Sequence, residues 1–241
     1  MSRRARVMVI VGAVAVVAIA GVVAAFVWNN SGAPKPVTLS DSNGSGSGST
    51  GLSDSGSGSG SSASSLTGTW KIQTGRTFAG YRVREKLAEL PAPSDAVGRT
   101  PAVTGTMAVT GTTISAVTIS ADLSQLKSDR DRRDNAIRMR GLETANFPTA
   151  TFKLTSPIKL GAVATGKVVS ATATGNLTLH GVTKPVQVPL QGKFSGSTIE
   201  VVGNIPIQFA DFQIQPPNFT GFVTVQDHGT MELDLVFAKS A

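Results

Sequence analysis

From residue 168 to 237 nearly every segment between turns alternates apolar with polar residues. A chain patterned at period two can hide its apolar face only in a sheet that packs on, or closes around, itself. Leu177 and Leu179 share one face, and Asn176, Thr178 and His180 the other. Val186, Val188 and Leu190 share a face, as do Met231, Leu233, Leu235 and Phe237, with Glu232 and Asp234 opposite. The spacing predicts strands at 168–179, 182–190, 199–207 and 222–237, the last broken near Asp227-His228-Gly229. Upstream, Thr69-Trp70-Lys71-Ile72 opens the domain, 81–84 and 150–155 read the same way as strands, and 102–109 with 113–120 form a hairpin around Thr110-Gly111-Thr112. Leu90-Pro91-Ala92-Pro93 opens a loop that reaches Arg99. Periodicity alone leaves a sandwich and a closed barrel equally open.

One segment breaks the pattern. Ser128 is placed to cap a helix running from Asp129 to about Arg140. Asp129 and Asp131 suit its positive end, Arg138 and Arg140 its negative end, and Gly141 stops it. Asp129/Arg133 and Asp134/Arg138 have i,i+4 spacing. Its apolar content is Ala136, Ile137 and Met139, so it belongs on the surface or at a rim.

The N-terminal third cannot join that sheet. Residues 7–28 are uncharged and apolar throughout, long enough at about 1.5 Å per residue to span a bilayer core. Arg3, Arg4 and Arg6 precede them, which places the N-terminus in the cytoplasm and the rest outside. Ala18-Ile19-Ala20 has the form of a cleavage site, but the apolar residues 22–28 follow at once, so an uncleaved anchor is favoured. Cleavage would instead secrete the domain. Residues 29–66 are rich in Gly and Ser and read as a disordered linker, with an r.m.s. span of roughly 30–35 Å. The expected division is therefore an anchor at 1–28, a linker at 29–66 and a β domain at 67–241.

Charge and composition remove several functions. The net charge of +7 is scattered, with no basic stripe interleaved with aromatics, which argues against nucleic acid. The absence of cysteine removes disulfides, thiolate metal sites and cysteine nucleophiles. His180 reads first as a turn residue and His228, beside Asp227, likewise, and two such histidines make a poor metal set. Asp129, Asp131, Asp134 and Glu143 read as a solvated helix surface rather than as paired catalytic acids. No phosphate loop or nucleophile elbow is present. No cofactor, metal or catalytic residue is expected.

Four places resemble the YceI-like family of lipid- or polyisoprenoid-binding, lipocalin-like barrels. They are Gly80-Tyr81-Arg82-Val83-Arg84; Ser128-Asp129-Arg130-Asp131 followed by Phe147-Pro148-Thr149-Ala150-Thr151-Phe152; the run from Gly175 through His180-Gly181 to Val186; and Asp211-Phe212. The chain departs from the pattern at Phe209 and Gln213, where many members carry Arg and Gly, and in Gln215-Pro216-Pro217-Asn218-Phe219.

The resemblance implies an antiparallel barrel with a short rim helix, preceded by the transmembrane helix and linker, whose apolar interior holds an isoprenoid or quinone-like lipid without turning it over. It implies a tunnel lined by Tyr81, Val83, Phe147, Phe152, Leu177, Leu179, Val186, Val188, Phe209 and Phe212. Arg130 and Arg133 are the headgroup candidates. The rivals are a filled barrel that docks an envelope protein and, less favoured, a hydrolase. Phe194, Phe219 and Phe222 are core in one reading and tunnel wall in another.

Overall fold

The alternating segments build one antiparallel sheet that closes on itself. The computed structural model describes residues 33–39, 66–218 and 221–240. In chain order the strands are β1 (Gly68–Ile72), β2 (Phe78–Leu87), β3 (Ser94–Thr100), β4 (Val103–Thr110), β5 (Thr113–Asp122), β6 (Lys127–Ser128), β7 (Thr149–Leu154), β8 (Ile158–Lys159), β9 (Val168–Leu179), β10 (Val182–Phe194), β11 (Thr198–Gln208), β12 (Val223–Val225) and β13 (His228–Lys239), with helix α1 (Asp131–Met139) between β6 and β7.

Several of these are halves of one long strand. β1 and β2 share the neighbour β13, Trp70–Ile72 pairing with its end and Ala79–Arg82 with its beginning. β3 and β4 run along β2 and β1, interrupted at Pro101, which has no N–H to give a ladder. β5 and β6 follow suit with a 3-10 turn between them, Leu123–Gln125, and β12 extends the β13 line along β2. The result is an eight-stranded up-and-down barrel, closed where β13 meets β1 and β2. Closure leaves no long free edge among the described residues for another chain to pair with.

Inside and outside follow the alternation. Leu177 and Leu179 on β9 and Leu235 and Phe237 on β13 are buried in the interior cluster. The β9–β10 hairpin turns on His180 and Gly181, with φ of 52° and 74°. Two consecutive left-handed residues make the tight turn whose twist matches the flanking strands. Close approach governs a second glycine. Tyr81 pairs with Gly98, and a Cβ there would lie 2.4 Å from the tyrosine ring, so the ring lies flat across the glycine backbone.

Three local expectations change. Residues 94–100 are strand β3, not the tail of a loop, because Asp95 and Arg99 turn outward into ion pairs while Ala96 and Thr100 are buried. Ser128 belongs to β6 and does not cap the helix. α1 starts at Asp131 after Arg130, whose side chain makes no cap. Asp134 reaches back instead, accepting from the Ser128 amide at 2.9 Å and its hydroxyl at 2.7 Å, which ties the first turn to the sheet.

Residues 33–39, inside the segment read as linker, lie extended on the barrel's outer face as a strap. The Pro34 carbonyl accepts from Arg82 at 2.6 Å, that of Lys35 from Arg99 at 3.4 Å and that of Val37 from Asn204 at 3.3 Å. The Leu39 amide donates to Gln191 at 3.3 Å. Close to the strap's first contacts, Glu232 faces outward as its alternation requires yet is only 1% exposed. It is held by Arg82 at 2.5 Å and Arg99 at 3.2 Å. No helix among the described residues is long and apolar enough to cross a membrane. The expected anchor at 7–28 lies outside the described residues, as does 40–65 of the expected linker.

Candidate functional site

One end of the barrel carries α1, the His180-Gly181 turn and the connection from β11 to β12, and this end opens into a cavity. The cavity has a volume of about 1370 Å³. Its deep wall is Leu126, Leu179, Ile207, Phe209, Ile214 and Met231, and its rim is built from α1, Pro216, Pro217 and Phe222. Below it lies a second chamber of about 160 Å³, lined by Met107, Phe152, Leu177, Val188, Leu235 and others of the same kind. Ala79, Ala121, Ala150 and Met231 border both chambers, and Ala121 pairs directly with Ala150 on β5 and β7. Small side chains at this waist let the two spaces approach one another. The opposite end is filled by Leu66, Trp70, Phe194 and Phe237, all buried. Trp70 meets Phe194 edge to face at 6.1 Å, and its indole N–H donates to the Leu66 carbonyl at 2.9 Å.

The polar groups of the upper cavity gather near the mouth. Arg133 Nη2 lies 2.5 Å from Glu85 Oε1, with both side chains largely buried, and it also reaches Asp129. Burial works against the Arg133 charge, but its hydrogen bond and proximity to Glu85, helped by Asp129, hold its pKa above the ordinary value. Arg130 pairs with Glu89 at 2.5 Å. Beside them the Tyr81 hydroxyl is buried and makes no hydrogen bond, its neighbour Ser128 having committed its own hydroxyl to Asp134. Burial drives the phenol's pKa well above its usual value, so it stays a neutral donor.

Tyr81, Val83, Leu179 and Phe209 line the upper cavity, and Phe152, Leu177 and Val188 the lower chamber. Three other sequence candidates sit elsewhere. Phe147 packs against His180 with the rings tilted by 58° and their centroids 4.4 Å apart, and covers the Gly181 turn. Phe212 is buried below the rim, and its carbonyl contacts His180 Nδ1 at 3.0 Å. Val186 packs on the core without bordering either space. Arg130 and Arg133 do stand at the mouth, each already paired with acids. His180 serves the turn, and its Nε2 lies 3.9 Å from Glu143, outside the cavity lining. His228 contacts only the adjacent, exposed Asp227, at 2.7 Å. Phe194 belongs to the floor, Phe222 stands exposed on the rim and Phe219 lies outside the described residues. Sequence reasoning missed the alanines of the waist, whose signal was their inward parity on β5 and β7, and the exposed rim residues Met139 and Phe222.

This barrel, with its rim helix, matches a known family model: the YceI-like domain aligns with residues 70–237. The chain belongs to the YceI-like family. Among curated relatives, UPF0312 proteins of Vibrio parahaemolyticus and Vibrio vulnificus are each 31% identical over 121 residues, which cover 47% of this chain and 61% of theirs. Among solved structures, a polyisoprenoid-binding domain from Saccharophagus degradans, implicated in plant cell wall breakdown, superposes with a TM-score of 0.56 at 16% identity, over 71% of this chain and 98% of that one. BcnA of Burkholderia cenocepacia gives a TM-score of 0.52 at 17% identity, over 68% of this chain and 98% of its own. At such identities these two structures establish a shared YceI-like fold. They also agree on the architecture, since nearly the whole of each neighbour is used.

Proposed function

We propose that this protein holds one long-chain lipid, a polyisoprenoid or a quinone-like relative, in its barrel, as a membrane-tethered carrier or store outside the cytoplasm. The observation that carries the reading is the apolar space in two adjoining chambers, about 1370 Å³ above the alanine waist and about 160 Å³ below it. A filled barrel acting only as a docking module needs no such space. Each buried CH₂ contributes roughly 0.8 kcal/mol, so an isoprenoid tail supplies affinity without a strong headgroup contact. Two things near the mouth favour a neutral polar end. The two arginines offered as headgroup ligands, Arg130 and Arg133, are neutralised by Glu85, Glu89 and Asp129, and the unpartnered Tyr81 hydroxyl is free to donate to a carbonyl or hydroxyl oxygen. The solved polyisoprenoid-binding neighbour supports the ligand class by analogy of fold. Tethering rests on residues 7–28 and the arginines before them.

The cavity does not assemble a catalytic set. Its buried carboxylate, Glu85, is spent on Arg133, and neither histidine borders it. The reading is therefore of binding without turnover. Lipids extracted from purified full-length protein and identified by mass spectrometry test it, together with titration by a fluorescent polyisoprenoid. A long-chain species at near one per protein is the expected result. Lipid-free extracts with no binding at micromolar concentration would overturn it.

A further inference from the structure

The mouth carries an unusual surface. Among the described residues the exposed large hydrophobic side chains are Met139 and Phe222, 69% and 76% accessible, and both stand on this rim. They come from separate elements, the last turn of α1 and the approach to β12. On α1, Arg132, Asn135 and Met139 form one exposed stripe at helical spacing, with Arg138 and Arg140 beside it. Arg132 and Arg138 make no ion pair among the described residues, whereas the nearby acids Asp129, Asp134, Glu85 and Glu89 are each bound to a basic side chain. Asp131 alone of the helix acids stands without an ion pair, so the exposed rim is basic on balance.

We propose that this rim docks the mouth of the barrel on an anionic lipid bilayer, with Met139 and Phe222 entering the interface and the exposed arginines meeting lipid phosphates. Two apolar anchors among basic side chains form the pattern of interfacial attachment, in which apolar burial adds to attraction by anionic headgroups. The strap points the same way. It meets β2 at Arg82, level with Thr230 of β13, passes Asn204, level with Glu232, and finishes at Gln191, which pairs through Val202 with Asp234, further from the mouth. Its start is thus its mouthward part. From Trp28, where the expected span ends, to Pro34 is six residues, a reach of at most about 20 Å. A chain leaving the bilayer and joining the strap delivers the mouth side of the barrel to the membrane first. The proposal rests on the lipid-binding reading for its purpose, since a lipid entering or leaving must cross this rim.

The full chain has no cysteine, so single-cysteine variants report cleanly. Met139→Cys and Phe222→Cys probe the rim, and Ser197→Cys, exposed in the β10–β11 turn, probes the opposite end. Each is labelled with an environment-sensitive nitrobenzoxadiazole dye and reconstituted in phosphatidylcholine vesicles, with or without phosphatidylglycerol, containing a doxyl-lipid quencher. The expected result is strong quenching at 139 and 222 that needs phosphatidylglycerol, with none at 197. Arg132→Gln with Arg138→Gln should lower the ratio of docked to undocked protein about thirtyfold, the effect of losing two basic groups at a charged surface. Equal quenching at all three sites, or quenching indifferent to phosphatidylglycerol, would overturn the proposal. So would crosslinking of the rim cysteines to a protein rather than to lipid in native membranes. Lipid extracted from the same samples separates the two readings. Retained long-chain lipid without rim quenching defeats docking alone, and rim quenching with no retained lipid defeats the cavity reading alone.

Discussion

Replacing Ala150 by Phe should shorten the chain the barrel accepts. Ala150 is buried, borders both chambers and pairs with Ala121, so a ring placed there fills the waist. The space cut off is about 160 Å³. At about 30 Å³ per water-sized group it holds about five CH₂-sized groups, near one isoprene unit. At roughly 0.8 kcal/mol each, excluding them costs about 4 kcal/mol of binding, or about a thousandfold in Kd. The ring enters existing space, so the stability cost should stay near the lower end of the usual overpacking range, about 1 kcal/mol. The assay is competition against a fluorescent probe by isoprenoid alcohols of increasing length, with a urea melt of each protein as control. Short alcohols should bind wild type and variant alike, and the two curves should separate once the chain is long enough to cross the waist. Equal loss for short and long alcohols would refute the two-chamber argument, as would no loss at any length in a folded variant.

Glu232→Ala should destabilise by about 3–5 kcal/mol in urea unfolding, because Arg82 and Arg99 are left facing each other beneath the strap without their carboxylate. Starting the chain at Ser65, which keeps the buried Leu66, removes the strap's four hydrogen bonds and should cost about 1–3 kcal/mol, the bonds being partly offset by the entropy of ordering residues 33–39; calorimetry against the full chain checks it. Gln213 holds φ at 56°, so Gln213→Gly should stabilise by about 0.5–1 kcal/mol, read as a raised Tm. Burial, with Glu200 adding to it, raises the Asp234 pKa, so the folded state binds this proton more tightly than the unfolded chain. That stability is fully present below the ordinary carboxylate range and is lost as pH rises through the raised value. Asp234→Asn should therefore flatten Tm against pH on the side above the ordinary carboxylate range and raise it where wild-type Asp234 is ionised, and an unchanged profile would count against the shift.

The strands that read clearly in the sequence are those whose inward and outward residues differ in chemistry. On β13, Leu233 and Leu235 alternate with Glu232 and Asp234, and β9 ends at a turn whose His180-Gly181 pair announces itself. β3 was hidden because its outward residues include the apolar, buried Val97, while its inward face offers Ala96, Gly98 and Thr100, none strongly apolar. The strap carries no period at all, and its partners Arg82, Arg99, Asn204 and Gln191 are spread over four strands that only the closed barrel brings together. Of the ten wall candidates that the family resemblance implied, Tyr81, Val83, Phe152, Leu177, Leu179, Val188 and Phe209 border the two chambers. The rim was not legible in this way, since Met139 and Phe222 meet only because α1 and the approach to β12 border the same opening.

Because Leu39 is fastened to β10 and Leu66 lies buried at the floor, residues 40–65 join two points on the same barrel. Their length then has no bearing on how far the domain stands from whatever precedes residue 33. Doubling these 26 residues costs only about 0.6 kcal/mol in closure entropy. Glycine and serine can be gained or lost there at little cost to the fold, whereas an insertion of the same size before Pro34 would lengthen the reach of the whole domain.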